Sequence, residues 1–74
     1  MKYRYVLLTN KYDSAESYGI AAVADYDGGV SILESYADLS VTRESVERLV
    51  ELCNNLQLDL AHLSNAVEDF LANI

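Results

Sequence analysis

The segment IAAVADYDGGVSILESY, residues 20 to 36, decides the fold because two apolar stretches flank a turn that contains glycine. The stretch before the turn is rich in Ala and Val, and the stretch after it mixes apolar and polar side chains. Asp27, Gly28 and Gly29 suit the turn, since Asp and Gly favour tight loops and Gly accepts a positive φ. The segment therefore predicts a β-hairpin.

The register of this hairpin depends on the length of its loop. A two-residue loop sets Asp25 against Val30 and Ala21 against Glu34, which mixes polar and apolar side chains on both faces. We therefore predict a three-residue loop with a glycine at positive φ. One face then carries the pairs Tyr26–Val30, Ala24–Ile32, Ala22–Glu34 and Ile20–Tyr36. The other face carries the pairs Asp25–Ser31, Val23–Leu33, Ala21–Ser35 and Gly19–Ala37.

Three strands are predicted, over residues 2–10, 17–26 and roughly 30–38. The first two are rich in Tyr, Val, Ile and Leu and show the period-two alternation of a strand. The polar segment KYDSAES, residues 11–17, predicts a connecting loop between them.

Two helices are predicted after the strands. Thr42 is a suitable N-cap for the first helix, which ends at NNLQLD, residues 54–59, and Asp59 is a suitable N-cap for the second. Apolar residues recur at helical spacing in both. They are Val46, Leu49, Val50, Cys53 and Leu56 in the first helix, and Leu60, Leu63, Val67, Phe70, Leu71 and Ile74 in the second.

The order β-β-β-α-α predicts an α+β fold, in which a three-stranded antiparallel sheet is followed by a C-terminal helical hairpin packed on one face. A chain of 74 residues makes one small domain, residues 1–74. Two short helices cover one face of the sheet only. We expect the other face to be an association face, with an apolar patch that a second copy or a protein partner covers. Its residues are Val6, Leu8, Val23 and Leu33, alongside Ala21 and Ala37.

Composition and charge exclude several classes of protein. The chain is 51% hydrophobic and has no proline, which is typical of a globular domain with regular structure. Its net charge of -7 opposes direct binding to nucleic acid or to an anionic membrane surface. The early apolar run VLL is too short for the core of a signal peptide. With a single cysteine as well, we expect a cytoplasmic protein.

Reactive side chains concentrate in CNNLQLDLAHLSNAVEDF, residues 53–70. Cys53 falls between Leu49 and Val50 on the apolar stripe of the first helix, which predicts an inert core cysteine. His62 and Asp69 share a face of the second helix but are about 10 Å apart along its axis. We predict a solvated histidine at position 62, with a pH-responsive contact as the alternative. Asp25 and Asp27 resemble the start of a calcium loop, but Tyr36 falls where such a loop needs Glu. We therefore predict no catalytic residue, metal or cofactor.

An acidic stripe is predicted on the first helix, where Glu44, Glu47 and Glu51 share a face. Together with Asp25 and Asp27, these side chains form a candidate partner-binding surface that imitates the phosphates of a nucleic acid. The alternative interpretation is that the charge serves solubility.

The chain resembles a family of small uncharacterised bacterial proteins that is common in anaerobic Firmicutes, domain of unknown function 6514. The resemblance rests on SYGIAAV (residues 17–23), VERLVELCNNLQLDLAHL (46–63) and AVEDFL (66–71). It covers nearly the whole chain and implies a compact cytosolic protein. No established activity and no site residues come with it.

Two functions from different classes are expected. The first is a non-enzymatic interaction or regulatory module that self-associates, as a homodimer, or bridges a partner. The second is an acidic inhibitor that occupies the basic groove of a nucleic-acid enzyme, as phage-borne anti-CRISPR proteins do.

Overall fold

Three antiparallel strands followed by two helices build the protein, which confirms the predicted α+β class. The computed structural model describes residues 2–73, so the predicted apolar position Ile74 lies outside the described residues. The elements are β1 (Tyr3–Tyr12), β2 (Ala15–Tyr26), β3 (Gly29–Ser40), α1 (Arg43–Asn55), a 3₁₀ turn (Leu60–His62) and α2 (Leu63–Ala72). The helices pack on one face of a sheet with the strand order β1-β2-β3.

The first hairpin is longer than predicted. The loop predicted over residues 11–17 is wrong, because the strands continue to Tyr12 and resume at Ala15, leaving only Asp13 and Ser14 as the turn. Asp13 takes the turn with a φ of 42°. The polar composition misled the prediction because residues 11–16 are exposed and bury no side chain.

The second hairpin contains a β-bulge that changes its register partway. Near the turn, Asp25 pairs with Val30 and Val23 with Ile32, so the loop has two residues and the predicted three-residue loop is wrong. The predicted pairing returns beyond the bulge, where Ala22 lies opposite Glu34. Leu33 is the extra residue between these two registers. The prediction of a glycine at positive φ is confirmed, since Gly28 has a φ of 100°.

A second irregularity lies opposite Gly19. Tyr18 pairs with Ser40 and Ile20 with Tyr36, so residues 37–39 of β3 face the single residue Gly19. A Cβ on Gly19 would overlap the carbonyl oxygen of Tyr36 and lie 2.9 Å from the Cα of Ala37. The absence of a side chain at position 19 therefore allows β3 to approach β2 at this point.

We expect Gly19→Ala to lower the free energy of unfolding by about 3 kcal/mol, because the backbone of β3 has to move to accommodate a methyl group. Urea unfolding monitored by circular dichroism measures the effect. Gly28→Ala is the control, since no atom lies near its Cβ position and the substitution costs only the strain of a positive φ, about 1–2 kcal/mol. Equal losses in the two variants would contradict the packing argument.

The helices begin and end close to the predicted positions. Thr42 is the N-cap residue of α1, but its side chain makes no capping hydrogen bond, and its N–H donates instead to Oγ of Ser40 at 3.0 Å. The side chain of Asp59 accepts a hydrogen bond from the N–H of Ala61 and so begins the 3₁₀ turn, after which α2 starts at Leu63. Gln57, with a φ of 50°, ends α1 in the left-handed conformation.

The core lies between the sheet and the helices. Buried side chains from the three strands and the two α-helices meet there, and Cys53 is among them at 2% exposure. The main members are Tyr5, Tyr18, Ile20, Ala22, Leu39, Val46, Leu49, Cys53, Leu63 and Val67. Within residues 2–73, neither helix combines the length and apolar character needed to cross a membrane.

Polar contacts tie β1 to the end of α1. The side-chain amide of Asn54 accepts a hydrogen bond from the N–H of Tyr5 at 2.8 Å and donates one to its C=O at 2.9 Å. The hydroxyl of Tyr5 donates to the C=O of Leu58 at 2.6 Å, and the N–H of Leu60 donates to the hydroxyl of Tyr3 at 2.8 Å. These contacts fix the connection between the helices against the edge of the sheet.

We expect Asn54→Asp to lower the free energy of unfolding by about 1–3 kcal/mol, because a carboxylate would face the C=O of Tyr5 where the amide now donates. Chemical denaturation at neutral pH measures the loss. Asn55→Asp is a matched control that adds the same charge one residue further along α1, at an exposed side chain. If Asn55→Asp destabilised the protein equally, added charge rather than the lost hydrogen bond would be the cause.

Tyr5 makes stability depend on pH in the alkaline range. Burial, with smaller contributions from Tyr3 and other acidic groups, raises the pKa of Tyr5 from 10.0 to about 12. Between these values the unfolded chain has released the proton and the folded chain still holds it, so stability falls as pH rises. We expect the ionisation of Tyr5 to lower the free energy of unfolding by about 2–3 kcal/mol over this pH range.

The measurement is urea unfolding at several values between pH 10 and pH 12, the two pKa values of Tyr5. Tyr5→Phe is the comparison. Both proteins contain the other tyrosines, so the contribution of those tyrosines to the pH dependence cancels when the two free energies of unfolding are subtracted. If the free energy of unfolding of the natural sequence fell no more steeply with pH than that of Tyr5→Phe, the prediction would be contradicted.

Candidate interaction surface

One face of the sheet is left open by the helices. Tyr5, Ile20 and Ala22 belong to the core beneath the helices, so the neighbouring residues along each strand point to the opposite side. The register aligns Arg4 with Val23, Val6 with Ala21 and Leu8 with Gly19 on that side, together with the pairs Val23–Ile32 and Asp25–Val30. We call this surface the open face.

Several side chains of the open face are apolar. Ile32 is 62% exposed and Val30 is 54% exposed, while Val6 and Leu8 are partly buried. Val23 and Ala21 lie beneath them and are buried, although neither belongs to the core between the sheet and the helices. Side chains of the two outer strands therefore shield the small residues of β2, and their own outer surfaces remain in contact with water.

Polar contacts lie at both ends of the open face. Arg4 forms an ion pair with Asp25 next to the second hairpin turn. At the other end, the hydroxyl of Tyr12 donates to the carboxylate of Asp38, with O–O distances of 2.8 and 2.9 Å. This hydrogen bond raises the pKa of Tyr12. The ion pair joins β1 to β2 near the second hairpin turn, and the hydrogen bond joins β1 to β3 near the first hairpin turn.

Three of the four residues predicted for an association face, Val6, Leu8 and Val23, lie together on the open face. The prediction for Leu33 is wrong: Leu33 sits at the bulge and packs against the core. Ile32 takes the place opposite Val23, and Val30 lies on the same face. Both had been predicted on the opposite side, since side-chain alternation gives no sign of an extra residue within a strand.

The predicted acidic surface is divided between two parts of the molecule. Glu44, Glu47 and Glu51 lie on α1, where Glu47 forms an ion pair with Arg43 at 3.0 Å. Asp25 lies on the open face and is paired with Arg4, and Asp27 is in the adjacent turn. The sheet separates α1 from the open face, so the structure does not bring the two groups of carboxylates together.

Cys53 and His62 occupy different environments. Cys53 is buried, as predicted, and burial raises the pKa of its thiol, which disfavours the reactive thiolate. His62 is exposed at the end of the 3₁₀ turn, as predicted. Across residues 2–73, no group of three His, Cys, Asp or Glu side chains is placed to hold a metal ion.

The architecture is that of a small two-layer α+β protein with one uncovered sheet face. Over residues 1–73 the chain matches a family described as a family of unknown function (DUF6514), and it belongs to that family. Neither a curated protein nor a solved structure matches it.

Proposed function

We propose that the protein is a non-enzymatic interaction module that self-associates through its open face. The observation that carries the proposal is the exposed apolar surface on β3, where Ile32 is 62% and Val30 is 54% exposed. Ile32 lies in the same row of the sheet as Arg4, and Val30 lies opposite Asp25, while the hydrogen bond Tyr12–Asp38 is at the far end of the face. Exposed apolar side chains accompanied by polar groups are usual at a protein interface.

The size of the open face supports a pair of identical chains. Three strands about 4.8 Å apart and about ten residues long present roughly 450 Å² on one side. Two such faces together approach the roughly 1,000 Å² at which specific interfaces begin. In a two-fold arrangement the open face of one copy contacts the open face of the other, so a single apolar surface is sufficient for association.

A regulatory or bridging role fits this module better than catalysis. The thiol of Cys53 is buried and its pKa is raised, so it is a poor nucleophile. A reducing compartment such as the cytoplasm suits a chain whose single cysteine is unpaired.

The acidic inhibitor of a nucleic-acid enzyme stays an alternative prediction with less support. Glu47 and Asp25 are already neutralised by arginines, and the carboxylates of α1 and of the hairpin turn lie on different sides of the sheet. Salt separates the two functions: association through the open face should barely change between about 0.05 M and 0.5 M salt, whereas binding by an acidic mimic should weaken steeply.

We expect light scattering at micromolar concentration to give about twice the chain mass of 8.2 kDa for the natural sequence. Ile32→Lys should give the mass of a single chain, because a charge would be buried in the interface. Since Ile32 is 62% exposed, the isolated fold should tolerate the change, which circular dichroism checks.

Leu56→Lys is the matched control for Ile32→Lys. Leu56 is 64% exposed at the end of α1, on the helical side, so the variant should keep the mass of the pair. A single-chain mass for the natural sequence, or an unchanged mass for Ile32→Lys, would contradict association through the open face.

A further inference from the structure

A second apolar surface lies between the two helices, on the side of the molecule opposite the open face. It is a groove of about 440 Å³ between α1 and α2. Leu49 and Leu52 of α1 and Ala66 and Phe70 of α2 line it, and Ser45, Arg48, Asp69 and Asn73 lie along its rims. We call this surface the helical groove.

The helical groove is already formed in the isolated chain. Val46 and Cys53 hold α1 in the core, and Leu63 and Val67 hold α2, so both walls are fixed by buried side chains. Leu52 nevertheless is 55% exposed. An apolar groove that is already formed requires little rearrangement to bind a partner.

The two rims of the helical groove carry opposite charges. Arg48 is exposed on the α1 side and Asp69 is exposed on the α2 side. Within residues 2–73, neither side chain lies within ion-pair distance of an opposite charge. The amide of Asn73 donates to the backbone C=O of Asp69 at 2.7 Å, which leaves the Asp69 carboxylate available. Arg48 and Asp69 are therefore both available to a bound molecule.

We propose that the helical groove binds an amphipathic helix of a partner protein, with apolar residues on one stripe, acidic residues on one flank and basic residues on the other. Residues 45–52 and 66–73 each cover two helical turns, about 10 Å, which accommodates apolar side chains at positions i, i+4 and i+7 of a bound helix. The charged residues beside such a stripe would lie over the rims, acidic ones near Arg48 and basic ones near Asp69.

Three synthetic peptides of about 14 residues test the proposal, each with leucine at i, i+4 and i+7. The mixed peptide has Glu on one flank and Lys on the other, the acidic peptide has Glu on both flanks, and the basic peptide has Lys on both. Because a helix can enter the groove in either direction, exchanging the flanks would not be informative, whereas changing the charge of one flank is.

Fluorescence anisotropy at about 0.15 M salt limits the long-range effect of the net charge of the protein. We expect the mixed peptide to bind most tightly, and each of the others about tenfold more weakly, since one rim meets a like charge. Leu52→Glu should abolish binding of all three. Leu71→Glu is the control, because Leu71 is exposed on α2 but does not line the groove.

Charge reversal on one rim should change which peptide is preferred. Arg48→Glu makes both rims acidic and should favour the basic peptide, and Asp69→Lys makes both rims basic and should favour the acidic peptide. Arg43→Glu and Glu68→Lys make the same changes in net charge outside the groove and should leave the order unchanged.

Failure of the mixed peptide to bind at about 100 µM, or an unchanged order in Arg48→Glu and Asp69→Lys, would overturn the proposal. If Leu52→Glu lost self-association and the natural sequence bound none of the peptides, the groove would hold a second copy of the chain. That outcome would also overturn the proposal. The monomeric variant Ile32→Lys should bind the mixed peptide like the natural sequence, so this test does not depend on the open face.

Discussion

The structure depends on burying the central strand β2 from both sides with only one layer of helices. Residues 18–24 of β2 are all buried, and most of them are small. On the helical side, α1 and α2 cover Ile20 and Ala22. On the open face none of the elements within residues 2–73 covers Ala21 and Val23, and side chains of β1 and β3 can shield them because Gly19 and Ala21 project so little. The small residues of β2 therefore allow a thin molecule to be stable, and they also leave the outer apolar side chains facing water.

The shielding of β2 places the two candidate surfaces on opposite sides of the molecule. The open face is formed by strands and includes the exposed residues Val30 and Ile32, whereas the helical groove lies between α1 and α2. A partner on one surface does not obstruct the other. Under the two proposals made above, a pair of chains would carry one bound helix on each outer side and would bring two partner molecules together.

Most of the fold could be predicted from the sequence because local signals agree with the tertiary arrangement. Helical periodicity placed Cys53 in the core, and Thr42 and Asp59 mark the starts of helical segments. The errors come from features without a local signal. The bulge at Leu33 inserts one residue that alternation cannot detect, so Ile32 and Val30 were assigned to the wrong face. The strand ends around residues 11–16 extend into solvent, where polar residues are compatible with a strand as well as with a loop.

The candidate site was predicted in part for the same reason. Val6, Leu8 and Val23 were placed together correctly, since β1 and this part of β2 pair without an irregularity. The polar ends of the open face were missed, because Arg4 meets Asp25, and Tyr12 meets Asp38, only after the strands pair. The position of Arg48 and Asp69 along one groove could not be predicted either, since it depends on how α1 and α2 lie across the sheet.

The bond pattern between Asn54 and Tyr5 has a consequence for how the sheet ends. Because the N–H and C=O of Tyr5 both point away from β2, the alternate residues Leu7, Thr9 and Lys11 present theirs in the same direction. The side-chain amide of Asn54 makes the two hydrogen bonds that a residue of a fourth strand would make to Tyr5, so a foreign strand cannot pair with β1 at this position. Further along, the charged Lys11 discourages a foreign strand from docking. Pairing of a foreign strand with the β1 edge, and so growth of the sheet into a fibre from that side, is thus opposed.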